Sequence, residues 1–407
     1  MSRRVFITVA EVSGDKHAAQ LIASLRQIDP SLLIEGHGGP EMAAAGAIIH
    51  RDTVTRAAMG WRGFLRAGEI YKILRWTRRY FDENRPDLLI GVDSPSMNFH
   101  FARAAHERGI PALQYVAPQL WAWAPWRMKK LRRWVDRVAC ILPFEEEYFR
   151  AHGVAATFVG HPLFDELPAR LPREPGERFP FRPPVIGILA GSRKSEAQVN
   201  LPGLLEAARR IRQAFPDATF VAPTTAATHG LVASALTEPS ESENVAGQTL
   251  AAGAFADLGA VVGLDRFDEL VPRCDLCLTV SGTATLHVAS FGVPMIVVYF
   301  AKSLTWNAAG RWIIRARTFA LVNLLAKNAS ATAAAEAGGH VVPEFVPWNG
   351  RVDTIADLAI DYLRHPEKLE AQRRELDRLV RSLDHPGASM NVAKLAMGMM
   401  TPAGNSL

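Results

Sequence analysis

Short apolar runs, each followed by a stretch of helical periodicity, most constrain how this 407-residue chain can fold. VFITVA (5–10), LLIGVD (88–93), ALQYVAP (112–118), RVACILP (137–143) and TFVG (157–160) read as buried parallel strands in βαβ units. VIGILAGS (185–192), TFVAPT (219–224), LCLTVSG (276–282) and MIVVYF (295–300) repeat the pattern. Between the two series lies ELPARLPREPGERFPFRPP, whose six prolines can continue neither a helix nor a central strand. The chain therefore divides into a first domain (1–165), a Pro-rich linker (166–184) and a second domain (185–365). Residues 366–407 read as polar to amphipathic helices expected to pack back toward the first domain. The expected class is α/β, with two Rossmann-like doubly wound domains facing a central cleft at the carboxyl ends of their strands.

Composition narrows the function classes. With 48% hydrophobic and 21% charged residues this is a globular chain, and no apolar run reaches the length of a membrane span. Met1 to Arg4 leads into the first strand without signal-peptide architecture, so a cytoplasmic location is expected. The three cysteines, Cys140, Cys274 and Cys277, exclude a disulfide framework. The CxxC of RCDLCLTV has no second pair to complete a zinc site, and small buried residues are expected there. Between Arg51 and Arg150, 18 Lys/Arg stand against 11 Asp/Glu, a difference of +7 that exceeds the net +5 of the whole chain. The first half therefore faces an anionic surface or substrate.

Loops after the strands are where chemistry belongs. In AEVSGDKHAAQLI, Glu11, Ser13, Gly14 and Asp15 open the first helix; they suit close approach of a ligand, or Ser13 caps the helix. In LLIGVDSPSMNFHFA, Asp93 ends a strand, with Asn98 shortly after. It could take a proton as general base or act as a cap or turn former. In ILAGSRKSE, Gly191, Ser192 and Arg193 set a cation at a helix N-terminus, suited to a diphosphate; the alternative is an ordinary surface arginine. In VSGTATLH, Ser281, Gly282, Thr283 and Thr285 form a second such turn, and His287 lies one turn inside the helix.

The basic half carries an interfacial mixture. FLRAGEIYKILRWTRRYF places Lys72, Arg75, Trp76 and Arg79 beside an apolar stripe. LWAWAPWRMKKLRRWVD adds Trp121, Trp123, Lys129 and Lys130. A helix lying on an anionic bilayer and a core helix with a solvated basic face both fit. No RRM, zinc-finger or recognition-helix signature accompanies the charges, so no nucleic-acid partner is expected.

Taken in order, AEVSGDKHAAQLI, GHGGPEMAAAG, GVDSPSMNFHFA, GIPALQYVAPQLWAWAPWRMKKLRRWVDRV, FVGHPL, LAGSRKSE, VSGTATLHVASFGVPMIVVYF and LVNLLAKN resemble the bacterial lipid-A-disaccharide synthase family. The resemblance implies a GT-B fold and an inverting transfer of 2,3-diacylglucosamine from its UDP carrier to 2,3-diacylglucosamine 1-phosphate, without metal or other cofactor. It implies Asp93 as base, Arg193 and the Ser281–Thr285 turn near the diphosphate, and Asn323 in the family's NLLAG position. The partners implied are a UDP-linked acylated sugar, a lipid monosaccharide acceptor and the anionic inner face of the inner membrane.

Several positions depart from the family pattern. Ser96 stands for an aspartate, Ala190 for a proline, Lys327 for a glycine, and His287 for the glutamate of SGTATLE that partners a ribose. A histidine lacks two carboxylate acceptors. A divergent paralogue with another nucleotide sugar or lipid acceptor, and a nucleotide-binding pseudoenzyme, are the alternatives.

Overall fold

The computed structural model describes residues 3–55, 63–121, 124–166, 179–236, 253–282, 284–300, 318, 320–329, 340–348, 350–383, 385 and 387–400. The chain forms two compact units, Met1–Glu166 with Leu383–Leu407, and Leu167–Ser382.

The first unit runs β1 (Arg4–Thr8), α1 (Val12–Ile28), β2 (Leu33–Gly38), α2 (Pro40–Ala44), β3 (Ile48–Asp52), α3 (Gly63–Asn84), β4 (Leu88–Val92) and α4 (Pro95–His106). It continues through β5 (Ala112–Tyr115), α5 (Met128–Trp134), β6 (Arg137–Cys140), α6 (Pro143–Ala151), β7 (Ala156–Phe158) and α7 (Leu163–Glu166). Its seven strands pair in parallel in the order β3-β2-β1-β4-β5-β6-β7. The chain reverses its direction of winding between β1 and β4, which opens a crevice at the carboxyl ends of that pair.

The second unit runs β8 (Val185–Leu189), α8 (Lys194–Ala214), β9 (Thr219–Thr224), α9 (His229–Leu236), β10 (Val261–Leu264), α10 (Phe267–Leu270), β11 (Leu276–Thr279) and α11 (Ala284–Ser290). Then come β12 (Met295–Phe300), α12 (Leu321–Ala329), β13 (Glu344–Trp348), α13 (Val352–Arg364) and α14 (Pro366–Leu383); α15 (Ala388–Met400) returns to the first unit. Its parallel order, β10-β9-β8-β11-β12-β13, places the switch between β8 and β11.

Each sheet is sandwiched between helices. Ala18, Leu21, Ile22 and Leu25 recur on one face of α1 and are fully buried together with Val392, Ala393 and Ala396 of α15. Asp165 fixes that last helix by accepting from the amides of Gly387, Ala388 and Ser389 at 2.6, 3.0 and 3.0 Å, an acidic cap on its N-terminus. The tail thus splits. The expectation that all of 366–407 returns to the first domain fails for α14, because Leu369 joins the second core and Gln372 Oε1 accepts from the Met295 amide at 2.6 Å.

Most of the proposed linker, 167–178, lies outside the described residues. Its end is held by the fully buried Asp275, which accepts from Arg182 Nη1 at 2.8 Å and from the Val185 amide at 2.9 Å. The three cysteines are buried free thiols. Among the described residues no helix is long and apolar enough to cross a membrane.

The apolar-run reading missed β2, β3, β10 and β13. In β2 the buried positions include Glu35 and His37, polar residues made tolerable by partners on α3. Tyr80 donates to Glu35 Oε2 at 2.6 Å, and His37 Nε2 lies 2.8 Å from Thr77 Oγ1. Burial, helped by His50 and Arg51, pushes His37 down to about 3 from 6.5, so the unfolded chain binds the extra proton. Its contribution is fully present above pH 6.5 and lost as pH falls toward 3, about 3 kcal/mol by pH 4. Urea unfolding at pH 7 and pH 4 should show that loss in the native protein and a smaller one in His37→Gln. Equal losses would remove His37 from the acid response.

Candidate functional site

The carboxyl ends of β1, β4 and β5 carry a strained, tightly bonded cluster. Asp93 and Ser94 follow β4 with φ of +51° and +38°, and Val116 follows β5 with φ of +61°. Non-glycine residues in this region cost about 1–3 kcal/mol each, and a β-branched valine is a strong outlier. Two buried amides hold the conformation. Asn98 on α4 donates through Nδ2 to the carbonyls of Val92 at 3.1 Å and Asp93 at 2.7 Å, while its Oδ1 accepts from Thr8 Oγ1 at 2.9 Å. Gln114 Nε2 donates to the carbonyls of Asp93, Tyr115 and Val116 at 3.0, 3.2 and 3.3 Å. The half-buried Asp93 side chain is thereby aimed by bonds to its own backbone.

Gly14 brings the first loop to this point, because a Cβ there would lie 3.5 Å from the Asp93 Cβ and 3.0 Å from Val9 Cγ1. The rest of that loop departs from expectation. Asp15 is 1% exposed and accepts from the amides of Gly39 at 2.9 Å and Glu41 at 3.0 Å, so it ties α1 to the start of α2 rather than facing a ligand. Glu11, not Ser13, occupies the N-cap of α1, without a side-chain cap bond; Ser13 is exposed one step inside the helix. Asn98 is likewise a positioning residue, its amide saturated by protein groups.

Sequence reasoning passed over three groups here. Gln114 looked like one polar residue in an apolar run. The Ser94 hydroxyl and His17 Nδ1 are buried without a protein partner among the described residues. Burial, with a smaller push from Lys16, lowers His17 to about 4, so its ring is neutral at pH 7.

In the second unit the loop after β8 keeps the expected geometry. Arg193 is the exposed N-cap of α8, Ser192 is exposed, and Gly191 has a φ of +106°, which glycine adopts without penalty. Glu196 folds back over this turn. Its carboxylate accepts from the amides of Ser192 and Arg193 and is raised by burial against the pull of Arg193. Thr225, after β9, donates to the Ser192 carbonyl at 3.0 Å.

In the turn after β11, Ser281 is half-buried and Gly282 is exposed with a φ of +142°. Thr283 lies outside the described residues. Two of the expected donor-site residues are bonded within the protein. Thr285 is fully buried and spends its hydroxyl on the Gly282 carbonyl at 2.8 Å, closing the turn. Asn323 is buried and bonds both the amide and the carbonyl of Val342 and Glu344 Oε2, fastening α12 beside β13. His287 is half-buried, its Nε2 2.8 Å from Asp268 Oδ1 and its ring stacked between Phe267 and Phe291 at 4.5 and 5.3 Å.

Of the interfacial residues, Lys72, Arg75, Arg79, Lys129 and Lys130 are exposed on α3 and α5. Two tryptophans are half-buried and make contacts within the protein. Trp76 packs inward on Tyr80 and His50 beneath Arg51, because the polar strands β2 and β3 need an aromatic cover. Trp121 donates to the buried Glu145 at 3.1 Å. Trp123 lies outside the described residues. Among the described residues of the first unit, Tyr71, 64% exposed, and Trp126, 63% exposed, present aromatic rings at the surface. Among the described residues no three His, Cys, Asp or Glu side chains gather as a metal would require.

Two all-parallel α/β units, each with glycine- or strain-shaped loops at its switch point, define a two-domain protein of the GT-B fold class. A structure of UDP-GlcNAc 2-epimerase from Neisseria meningitidis bound to UDP-GlcNAc aligns with a TM-score of 0.60 at 13% identity, covering 98% of this chain and 100% of that one. CalG4, the calicheamicin glycosyltransferase, aligns at 0.56 and 15%, covering 98% and 100%. Both likenesses concern the fold. Sequence carries the family: the model for "Lipid-A-disaccharide synthetase" matches residues 5–336. A lipid-A-disaccharide synthase of Geobacter metallireducens is 34% identical over 403 residues, 98% of each chain. The chain belongs to the lipid-A-disaccharide synthase family and is a glycosyltransferase.

Proposed function

We propose that this protein transfers 2,3-diacylglucosamine from UDP-2,3-diacylglucosamine to the 6-hydroxyl of 2,3-diacylglucosamine 1-phosphate, with inversion and without a metal. The observation that carries the mechanism is the pair of buried amides, Asn98 and Gln114, holding Asp93 in a strained backbone. Enzymes keep such strain where it orients a reacting group. The acceptor oxygen attacks the anomeric carbon of the donor as the bond to the UDP oxygen breaks, and the Asp93 carboxylate takes the hydroxyl proton. General base catalysis of this kind contributes about 10²–10⁴-fold.

UDP is read as the ligand of the second unit. Arg193 and the amides at the head of α8 meet the negative charge that grows on the departing diphosphate. Glu196 already bonds the Ser192 and Arg193 amides, so a phosphate competes with it. Release of UDP on mixing the two sugar lipids with purified protein tests the reading. Arg193→Ala should lower UDP affinity by about 10–100-fold, the value of one charged hydrogen bond. UDP binding without turnover in the native protein would leave a binding protein only.

We also read the first unit as resting on the cytoplasmic face of the inner membrane. Lys72, Arg75, Arg79, Lys129 and Lys130 supply about 1 kcal/mol each near an anionic surface, and Tyr71 and Trp126 supply interfacial rings. Sedimentation with phosphatidylglycerol vesicles should fall with rising salt and with Trp126→Ala. Equal binding to neutral phosphatidylcholine vesicles would count against this placement.

A further inference from the structure

His287 is not an isolated imidazole beside the Ser281–Thr285 turn. Its Nε2 lies 2.8 Å from Asp268 Oδ1, and its plane is fixed between the rings of Phe267 and Phe291, tilted by 30° and 29°. The segment from Arg266 to Leu270, after β10, is thus drawn against the first turns of α11. That contact carries a carboxylate to the helix whose own first two turns, ATLHVAS, contain none. The Asp268 side chain is 58% exposed, whereas that of His287 is 26% exposed, so the histidine is the inner member of the pair and the carboxylate the outer.

A ribose presents a vicinal diol, two O–H donors that a carboxylate with two acceptor oxygens matches and a singly protonated imidazole does not. In doubly wound folds an acidic side chain commonly fills this need. Two other acids of this unit are engaged elsewhere. Glu196 bonds the amides of its own turn, and Glu269 is bridged by Arg266 and Arg273. Asp268 instead has an orienting N–H and an exposed side chain.

We propose that Asp268, oriented by His287, is a donor-recognition residue whose carboxylate accepts hydrogen bonds from the ribose hydroxyls of the nucleotide. This rests on the reading of the second unit as the nucleotide site. His287 then is a positioning residue, and its stacking between two phenylalanines is what lets a neutral ring hold the aspartate at a fixed angle. On this account the imidazole is a relay that holds a carboxylate from the segment after β10 beside the first turns of α11.

Calorimetric titration of the full chain with UDP and with 2′,3′-dideoxyuridine 5′-diphosphate tests this. Asp268→Ala should weaken UDP about tenfold, one hydrogen-bonded group's worth, and leave the dideoxy nucleotide within about twofold. His287→Phe keeps the ring stack and removes the N–H; it should reproduce most of that loss, and the double variant should be no worse than Asp268→Ala. Asp268 is exposed, so the variant keeps its fold, checked by an unchanged melting temperature. Unchanged UDP affinity in Asp268→Ala, or equal weakening of both nucleotides, overturns the assignment of the ribose contact while the UDP reading stands. Binding of neither nucleotide by the native protein overturns both.

Discussion

Asp93→Asn lowers kcat by about 10³-fold, the middle of the range for losing a general base, with UDP affinity and melting temperature unchanged. Asparagine is the informative replacement because the site has a backbone requirement as well as a chemical one. With φ at +51°, residue 93 sits where asparagine and aspartate are tolerated and alanine costs about 1–2 kcal/mol. The bonds from Asn98 and Gln114 reach the carbonyl of residue 93, not its side chain, so they survive the change. Asp93→Ala therefore mixes lost chemistry with strain, and Asp93→Asn does not. Single-turnover rates on preformed complexes read the chemical step directly. A loss below tenfold would place the base on another residue, with His17, neutral at pH 7, the next to examine.

The second large effect is expected at Asn98, a residue that touches no substrate in this account. Asn98→Ala leaves the Thr8 hydroxyl without its acceptor and the Val92 and Asp93 carbonyls without one donor each, around a side chain that is itself 2% exposed. Unsatisfied buried groups make this cost about 3 kcal/mol in unfolding free energy. The distinguishing readout is catalytic: in the folded fraction, kcat falls while KM for the donor holds, because Asp93 loses its aim and the second unit is untouched. Asn98→Asp, which keeps the acceptor for Thr8 and loses both donors, should show the kcat effect as well. Lost stability with an intact kcat would reduce Asn98 to packing.

Much of this was legible in order along the chain. Runs such as VIGILAGS and MIVVYF are buried on both faces, and that alone forces apolar continuity, so nearly every central strand could be read. The strands that escaped are informative in physical terms. IIHRD of β3 and VVGL of β10 are outermost strands with much of their surface in solvent, and so have no need of an apolar run. LIEGHG of β2 is buried yet polar, because its cost is met by Thr77 and Tyr80 about 40 residues further on. Short-range patterning cannot contain a partner at that separation.

The candidate site divides along the same line. Small residues, a charged residue after a strand and a helix start are local signals, and they located Asp93, Gly191, Arg193 and Gly282. What each polar atom is bonded to is not local. Asp15, Asn98, Thr285 and Asn323 stand in the right motifs but make hydrogen bonds to other groups of the protein, and Trp76 and Trp121 are half-buried against Tyr80 and Glu145.

His287 shows the same limit most sharply. As a letter in VSGTATLH it is a carboxylate replaced by an imidazole, and the chemistry of the turn looks impaired. The fold puts Asp268 within 2.8 Å of it across nineteen positions of chain. The order of residues by itself determined the two α/β halves, their family and the loops where ligands belong, because strand burial and turn chemistry act between neighbours in sequence. Which of those residues hold another part of the chain in place was decided by tertiary contacts, because a buried hydrogen bond is satisfied by whatever the fold brings within about 3 Å.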